Sequence, residues 1–353
     1  MVLTVGACDE QEVRDGQLRC RGCGRVFQVQ RGVAHLLYDP PEHVVAEAAG
    51  LERFAEQMRL EGWDREAIRS LPDRPHGYWY VQARSMHQLL TSVEFQPGQR
   101  ILDVGSNTCW AANHFAERGL EAIALDISTA ELQGLHTADY FIEDGHIFFE
   151  RILGTMTDIP LATGSLDYVY CCEVLHHNDP KGLRQTLEEC YRVLRPGGRL
   201  LVVNETLKVL RDPVGVHAEN VAEYDGYEHA HWALAYMWEA TRAGFQVELL
   251  EPHYVPFFGD TDLHLPPGTP PSQAVRQGLA YALRGSTLAR RAYLAWVYLA
   301  SGHASLSMIG TKPGDEDPRR GFRGTSRRVM RTLRKIIEQP EPAAPPPVSV
   351  DTG

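Results

Sequence analysis

Short apolar runs alternate with helical patterns through the middle of the chain, and turn residues bound each run. The runs that predict strands cover 101–104, 121–127, 147–153, 165–172, 199–203, 245–250 and 305–312. Between them, apolar residues spaced three and four apart predict helices over 110–119, 129–140, 181–194 and 233–243. Strands that alternate with helices build a largely parallel sheet with helices on both faces. The pattern therefore predicts a doubly wound α/β fold.

Both ends of the chain and one internal segment depart from this alternation. Residues 1–38 predict a small β-rich unit, and residues 39–95 predict helices, with helical spacing over 44–58 and 83–93. The predicted core covers 96–313, with a helical insertion at about 256–303 before its last strand. Residues 314–338 predict a basic amphipathic helix, and the proline-rich residues 339–353 predict a disordered tail.

A strand, a tight turn and a helix meet in the stretch RILDVGSNTCWAANHFAERG at 100–119. This kind of junction presents free backbone N–H groups to a ligand. The next strand ends in Asp126, about twenty residues after the turn, a spacing at which a carboxylate can accept hydrogen bonds from a ribose. Only Gly105 remains of the glycines that cradle a pyrophosphate, so a nucleoside-type cofactor is favoured over a dinucleotide.

The turn and four later segments resemble, in order, the motifs of class I S-adenosylmethionine-dependent methyltransferases. The later segments are the Asp126 strand, residues 154–161, the Val-Leu-His-His turn at 174–177 and Leu-Arg-Pro-Gly-Gly at 194–198. The resemblance implies a Rossmann-like seven-stranded sheet with an antiparallel last strand, S-adenosylmethionine as the cofactor and methyl transfer as the activity. It places at the cofactor Asp103, Gly105, Asn107, Asp126, Ile127, Thr155, Met156, Cys172 and Glu173.

Three positions depart from the usual motifs of this family. Asn107 and Cys109 stand where glycine is usual, and the resemblance implies that both side chains lie near the methionine end of the cofactor. Thr155 stands where an acidic residue is usual, so its hydroxyl is expected to meet the adenine amino group.

Methyl transfer from a sulfonium depends mainly on positioning, and a hydroxyl or amine acceptor also benefits from a general base. Glu205 follows the fifth strand, and His229 lies in a segment dense in titratable groups, so we expect both on the substrate side. His177 is a further candidate, with packing at the cofactor turn as its alternative. The aromatic residues at 78–80 are candidates for the sulfonium side, because aromatic faces attract cations, or for packing of a lid helix.

Cys20 and Cys23 form a C-x-x-C turn, and Cys8 lies upstream of them. Two thiolates on one tight turn suit tetrahedral zinc. The segment resembles the zinc-ribbon domain that precedes several methyltransferases, but Val5 stands where a further cysteine is expected. Three thiolates with Asp9, His35 or water would complete a zinc site, and a remnant that folds without metal is the alternative.

The net charge of −11 is unevenly spread along the chain. From residue 311 onward nine Lys and Arg face six Asp and Glu, which leaves −14 on residues 1–310 and disfavours nucleic acid as substrate. No membrane span and no signal peptide are predicted, which points to a cytoplasmic protein. The predicted acceptor is a small molecule methylated on O or N, such as a metabolite, a sugar or a natural-product scaffold.

Several alternatives stay open at the level of sequence. An RNA-directed methyltransferase and a non-catalytic cofactor-binding scaffold are the two other functions considered. A homo-oligomer, or an acidic partner for the basic C-terminal helix, is left open as well.

Overall fold

The computed structural model describes residues 1–8, 12–73, 78–145, 147–210, 228–250, 254–255, 259–260, 298 and 305–314. Its strands are β1 (Val2–Cys8), β2 (Val13–Arg19), β3 (Val26–Gln30), β4 (Val33–His35), β5 (Arg100–Val104), β6 (Glu121–Asp126), β7 (Glu150–Leu153), β8 (Leu166–Cys172), β9 (Leu194–Lys208), β10 (His231–Trp232), β11 (Gln246–Leu250), β12 (Tyr254–Val255), β13 (Gly259–Asp260) and β14 (Ser305–Thr311). Its α-helices are α1 (Glu42–Leu60), α2 (Arg65–Arg69), α3 (Tyr78–Ser92), α4 (Trp110–Ala116), α5 (Asp139–Gly145), α6 (Pro180–Val193) and α7 (Ala233–Ala243). Two short 3-10 helices cover Leu135–Ala138 and Leu175–His177.

The centre of the sheet has the strand order β7-β6-β5-β8-β9-β14-β11. Neighbours from β7 through β9 are parallel, whereas β14 is antiparallel to both β9 and β11. From β5 the chain continues to β6 and β7 on one side, and from β8 it continues to β9 on the other side. A topological switch point therefore lies between β5 and β8. Open α/β sheets bind their ligands in the crevice at the carboxyl ends of such strands. The predicted α/β fold is confirmed.

Alternation along the strands builds two apolar layers, one on each face of the sheet. Ile101 packs in the layer that contains Met86 of α3 and Phe115 of α4. Leu102, the next residue, packs in the layer that contains Leu187 of α6 and Tyr236 of α7. Successive side chains of a strand point to opposite faces, so each central strand needs an apolar residue at nearly every position.

The four N-terminal strands extend the central sheet. They form an antiparallel series, and β4 pairs in parallel with β7, with Val33 opposite Arg151. The side chain of Arg151 is fully buried and lies 2.7 Å from carboxylate oxygens of both Glu12 and Asp139. Residues 1–38 are thus β-rich, as predicted, but they are joined to the core by a shared sheet and a buried ion network.

The helix predicted over 129–140 is wrong. A turn covers its first half, the 3-10 helix Leu135–Ala138 follows, and α5 begins only at Asp139. The Ser128 hydroxyl accepts a hydrogen bond from the backbone N–H of Ala130, and the Ser128 carbonyl accepts one from Leu135. Such local hydrogen bonds compete with helical ones and close the chain into a loop.

Several predictions lie outside the described residues: most of the insertion at about 256–303, nearly all of the basic helix at 314–338, and the tail at 339–353. Within the part of the chain that the structure describes, no helix is long and apolar enough to cross a membrane.

Candidate functional site

The turn between β5 and α4 is tightly constrained. Gly105 has φ +66°, and a Cβ added there would lie 2.3 Å from Cγ2 of Val174. Asn107 and Cys109 also have positive φ, +46° and +58°. Asn adopts this conformation at modest cost, whereas a side chain at Gly105 would collide with the segment after β8. The glycine that survives in the motif is therefore required by close packing as well as by backbone conformation.

Asp126 ties the end of β6 to this turn. One carboxylate oxygen accepts a hydrogen bond from the backbone N–H of Asn107, and the other accepts one from Ser128, each at 2.8 Å. Burial raises the pKa of Asp126 to about 6, against the lowering effect of these two N–H groups. Each carboxylate oxygen has a second lone pair, so the group can still accept hydrogen bonds from a ligand.

A cavity opens at the carboxyl ends of β5, β6, β7 and β8. The residues predicted at the cofactor that line it are Gly105, Asn107, Asp126, Ile127, Thr155, Met156 and Glu173. The structure thus brings together residues from four separate sequence motifs. Helix α1 closes another side with His43, Val44, Glu47 and Leu51, which the sequence did not predict. The helical pattern of α1 was visible in the sequence, but nothing in it indicated that these residues face a ligand.

The chemistry of the cavity suits a cationic nucleoside. Glu47, Asp126 and Glu173 contribute carboxylates, and no lysine or arginine is among the described residues that line it. Nδ2 of Asn107 donates to Gln133 at 2.7 Å, while Oδ1 of Asn107 is buried without a hydrogen-bond partner among the described residues. A buried amide oxygen calls for a donor. An ammonium, a sulfonium and ribose hydroxyls fit this set, and a pyrophosphate does not.

Asp103 does not line the cavity, which corrects its predicted contact with the cofactor. It lies behind the turn and accepts a hydrogen bond from Oγ of Ser106 at 2.6 Å. Burial raises the pKa of Asp103 to about 7, with the nearby charge of Asp126 acting in the same direction. Asp103 therefore stabilises the conformation of the turn.

Cys172 and Cys109 also lie outside the cavity lining. Sγ of Cys172 is 2.9 Å from Oε1 of Gln82 in α3, which also accepts a hydrogen bond from Asn204. Cys172 therefore belongs to a polar cluster beneath α3. The Cys109 side chain is fully buried in the apolar layer on the α4 side, so its predicted place beside the methionine moiety is wrong.

Thr155 lines the cavity, but its hydroxyl already has a partner. Oγ1 of Thr155 lies 3.0 Å from Oγ1 of Thr157, and the backbone N–H of Thr157 also donates to it. The hydroxyl can still take part in one further hydrogen bond. Its contact with adenine stays a prediction.

Glu205 is fully buried and is not available to a substrate. Its Oε1 accepts hydrogen bonds from the backbone N–H groups of Val174 and Leu175, at 3.0 and 2.9 Å. Its Oε2 accepts one from the backbone of His176 and lies 3.0 Å from Nδ1 of that residue. Burial raises the pKa of Glu205. The contact with His176 and the hydrogen bonds from these N–H groups lower the pKa by more, so the net shift is downward. The predicted catalytic role of Glu205 is wrong, because its carboxylate is buried and bonded to the segment after β8.

His177 lines the cavity and makes an ion-pair contact with α1. Its Nδ1 lies 2.6 Å from Oε1 of Glu47. Burial lowers the pKa of His177, but the contact and charge of Glu47 outweigh it and raise the pKa to about 9. The half-buried His229 lies close by, since its backbone N–H donates to the carbonyl of His176 at 2.5 Å. The structure therefore gathers His177 and His229 near one wall of the cavity.

The three cysteines predicted to bind zinc do not come together. The register of the first hairpin pairs Cys8 with Val13 and Val2 with Arg19, the residue before Cys20. Cys8 and Cys20 therefore lie at opposite ends of the hairpin, about 20 Å apart at the usual rise per strand residue. The three-thiolate site is wrong for this structure. Among the described residues, the group that meets the spacing of metal ligands is His176, His177 and Glu228.

Of the aromatic candidates at 78–80, the described side chain is that of Trp79. It is half-buried, and its ring centroid lies 6.3 Å from that of Trp63. This contact favours packing of a lid helix. The side chains of the two tyrosines lie outside what the structure describes.

The strand order, the antiparallel β14 and the cavity at the switch point define the architecture of class I S-adenosylmethionine-dependent methyltransferases. Residues 102–202 match the family described as "Methyltransferase domain". This part of the chain is similar to that family.

Curated relatives align with the same region. "Malonyl-[acyl-carrier protein] O-methyltransferase 1" from Coxiella burnetii is 33% identical over 136 residues, covering 37% of this chain and 40% of that protein. "Demethylmenaquinone methyltransferase" from Renibacterium salmoninarum is 34% identical over 123 residues, covering 34% of this chain and 48% of that protein. The chain spans less than half the length of these relatives. Among solved structures, the YcgJ protein from Bacillus subtilis aligns with a TM-score of 0.44 and 18% identity, covering 65% of this chain and 99% of that one.

Proposed function

We propose that this protein transfers a methyl group from S-adenosylmethionine to an O or N atom of a small-molecule acceptor. The observation that carries the proposal is the cavity at the switch point. Its wall includes Asp126 and Asn107, whose Oδ1 has no hydrogen-bond partner among the described residues, and contains no described lysine or arginine. This donor and acceptor set matches a cationic nucleoside.

The residues of the cavity have separate tasks in this proposal. Asp126 accepts hydrogen bonds from the ribose hydroxyls, and Oδ1 of Asn107 accepts one from the ammonium of the methionine portion. Met156 and Ile127 supply apolar surface for the adenine. When bound, S-adenosylmethionine supplies an electrophilic methyl group on a positively charged sulfur. Because that sulfur leaves as a neutral thioether, placing the acceptor in line contributes most of the rate.

The acceptor side is formed by described residues just after β8, such as His177, and just before β10, such as His229. His229 is the group we assign to the acceptor, since its backbone is held against His176 beside the cavity wall. Glu205 is withdrawn from this role by its burial. The acidic body of the chain favours acceptors without a phosphate backbone.

Calorimetry with S-adenosylmethionine and S-adenosylhomocysteine on the full chain tests the cofactor site directly. We expect saturable binding of both. Asp126→Ala should weaken cofactor binding. Asp158→Ala, at an exposed position that follows the cavity-lining residues 155–157, should leave cofactor binding unchanged. Absence of binding by the unaltered protein would reject the proposal.

Release of S-adenosylhomocysteine tests transfer. The acceptor panel should include malonyl-acyl carrier protein and demethylmenaquinone, which the names of the two relatives suggest, together with sugars, hydroxylated metabolites and RNA. Turnover with a small molecule supports the proposal. Turnover with RNA alone would replace it with the RNA-directed alternative, and cofactor binding without any turnover would favour the scaffold alternative.

A further inference from the structure

Two histidines and a glutamate meet beside the cofactor cavity. His176 and His177 lie on the 3-10 helix Leu175–His177, and Glu228 lies three residues before β10. Each of the three offers one ligand atom, and these atoms all lie within 4.8 Å of one another. We propose that this cluster binds a divalent transition-metal ion. The inference does not depend on methyl transfer.

Each histidine lies beside a carboxylate. Nδ1 of His176 lies 3.0 Å from Oε2 of Glu205, and Nδ1 of His177 lies 2.6 Å from Oε1 of Glu47. An ionised carboxylate only accepts hydrogen bonds, so Nδ1 of His176 carries the proton and its Nε2 is left to ligate. Histidines that bind metals commonly donate their other nitrogen to a carboxylate, which fixes the ring and raises its basicity.

The supports of the cluster are rigid. Glu205 is fully buried and is itself held by three backbone N–H groups, so it cannot turn away from His176. The two imidazole rings lie side by side, with centroids 4.5 Å apart and planes tilted by 36°. The His176 side chain is 8% exposed, whereas the His177 side chain is 24% exposed. The cluster thus has one sheltered ligand and one that faces the cavity.

The ligand set selects the class of metal. Two imidazoles and one carboxylate suit zinc, iron(II), cobalt(II), nickel(II) or manganese(II). Calcium and magnesium prefer sets made entirely of oxygen ligands. Three protein ligands leave coordination positions open, as in catalytic rather than structural zinc sites. His177 also lines the cofactor cavity, so an open position could take an acceptor oxygen, a consequence that rests on the proposed function.

Cobalt(II) titration of the full chain followed by visible absorption tests the proposal. The background variant Cys20→Ser/Cys23→Ser removes the thiolates that could bind metal at the β2–β3 turn. In this background we expect saturable d–d absorption without thiolate charge-transfer bands, and displacement by zinc.

Variants of the cluster complete the test. Glu228→Gln should weaken metal binding at least about tenfold, and Glu47→Gln should weaken it by about tenfold through His177. Glu52→Gln, an exposed substitution on α1, is the matched control and should leave metal binding unchanged. Thermal unfolding of each variant shows whether the fold is intact.

Two results would overturn the metal site. One is the absence of saturable cobalt absorption in the Cys20→Ser/Cys23→Ser background, and the other is equal metal affinity in Glu228→Gln and Glu52→Gln. Calorimetry with S-adenosylmethionine on the same proteins keeps the two questions separate. A protein that binds cofactor but not metal refutes only this inference, and one that binds metal but not cofactor refutes only the proposed function.

Discussion

Glu205 and His176 form a buried pair in which a carboxylate oxygen lies 3.0 Å from the imidazole Nδ1. The same carboxylate accepts hydrogen bonds from three successive backbone N–H groups at the end of β8. A titratable residue at the carboxyl end of a strand usually suggests chemistry. Here it anchors the segment that forms one wall of the cofactor cavity.

Glu205→Ala should therefore act first on stability. The substitution leaves buried N–H groups unpaired, and we expect it to lower the free energy of unfolding by about 3–5 kcal/mol. Glu205→Gln keeps an oxygen acceptor and should cost less. Urea unfolding of both variants measures the difference. Unchanged stability combined with lost turnover would instead return Glu205 to the catalytic residues.

Asp103 gives the stability of the protein a characteristic dependence on pH. Burial raises its pKa from 3.8 to about 7, so the folded protein holds a proton that the unfolded chain has released. The stability contributed by Asp103 is present below about pH 4 and is lost as pH rises through about 7. At pH 8 the folded state must carry a buried charge at this position.

Asp103→Asn removes that charge and should gain stability relative to the unaltered protein as pH rises. The difference in unfolding free energy is expected to grow by about 2–4 kcal/mol between pH 4 and pH 8. Urea unfolding at both pH values measures it. Asp158→Asn, at an exposed position, is the control. A difference that is independent of pH would show that Asp103 does not titrate in this range.

Asp126 and Asn107 should contribute unequally to cofactor affinity. Asp126→Ala removes charge-assisted hydrogen bonds and should weaken S-adenosylmethionine binding by about tenfold to a hundredfold. Asn107→Gly keeps a backbone that accepts φ +46° and loses the single hydrogen bond that Oδ1 accepts from the ammonium, a cost of about tenfold. Calorimetry compares the two. The reverse order would mean that the turn is assigned to the wrong part of the cofactor.

Gly105→Ala should disturb the cavity through a specific collision. The new methyl group would lie 2.3 Å from Cγ2 of Val174, in a backbone conformation that already disfavours side chains. We expect a loss of about 2–4 kcal/mol in unfolding free energy and weaker cofactor binding. Gly197→Ala is a matched control, because Gly197 has φ +82° but open space around the added methyl.

The double variant Gly105→Ala/Val174→Ala separates the collision from the backbone strain. Truncation of Val174 removes the colliding methyl group, so the double variant should recover part of the stability that Gly105→Ala loses. The recovery appears as a coupling energy in a double-mutant cycle. Strictly additive losses would contradict a direct contact between the two positions.

Local patterns in the sequence predicted the features that depend on neighbouring residues. The central strands were placed to within a few residues, because apolar runs bounded by turns identify buried strands. The resemblance to the methyltransferase motifs predicted that Asp126, Thr155 and Glu173 share one site, and each lies at or just after the carboxyl end of a parallel strand. Parallel strands bring those ends to one edge of the sheet.

Features that depend on distant pairs could not be predicted. Glu47 meets His177 across 130 positions of sequence, and only the path of α1 over the sheet brings the two together. The burial of Glu205 was missed for a related reason: acidic residues are rarely buried, so the sequence alone favours an exposed, reactive role. Its partners are backbone N–H groups, which no residue pattern distinguishes.

The buried contact of Arg151 with Glu12 joins the N-terminal strands to β7 and so affects which strand forms the free edge of the sheet. An unpaired β7 would present a row of free backbone groups to any other extended chain, and the N-terminal strands prevent this by covering that edge. The exposed edge is thereby moved outward to β1, whose pairing with β2 is interrupted around Ala7 by irregularities of register. Such interruptions make an edge a poor template for further strands. The N-terminal strands thus move the free edge of the sheet from β7 to β1.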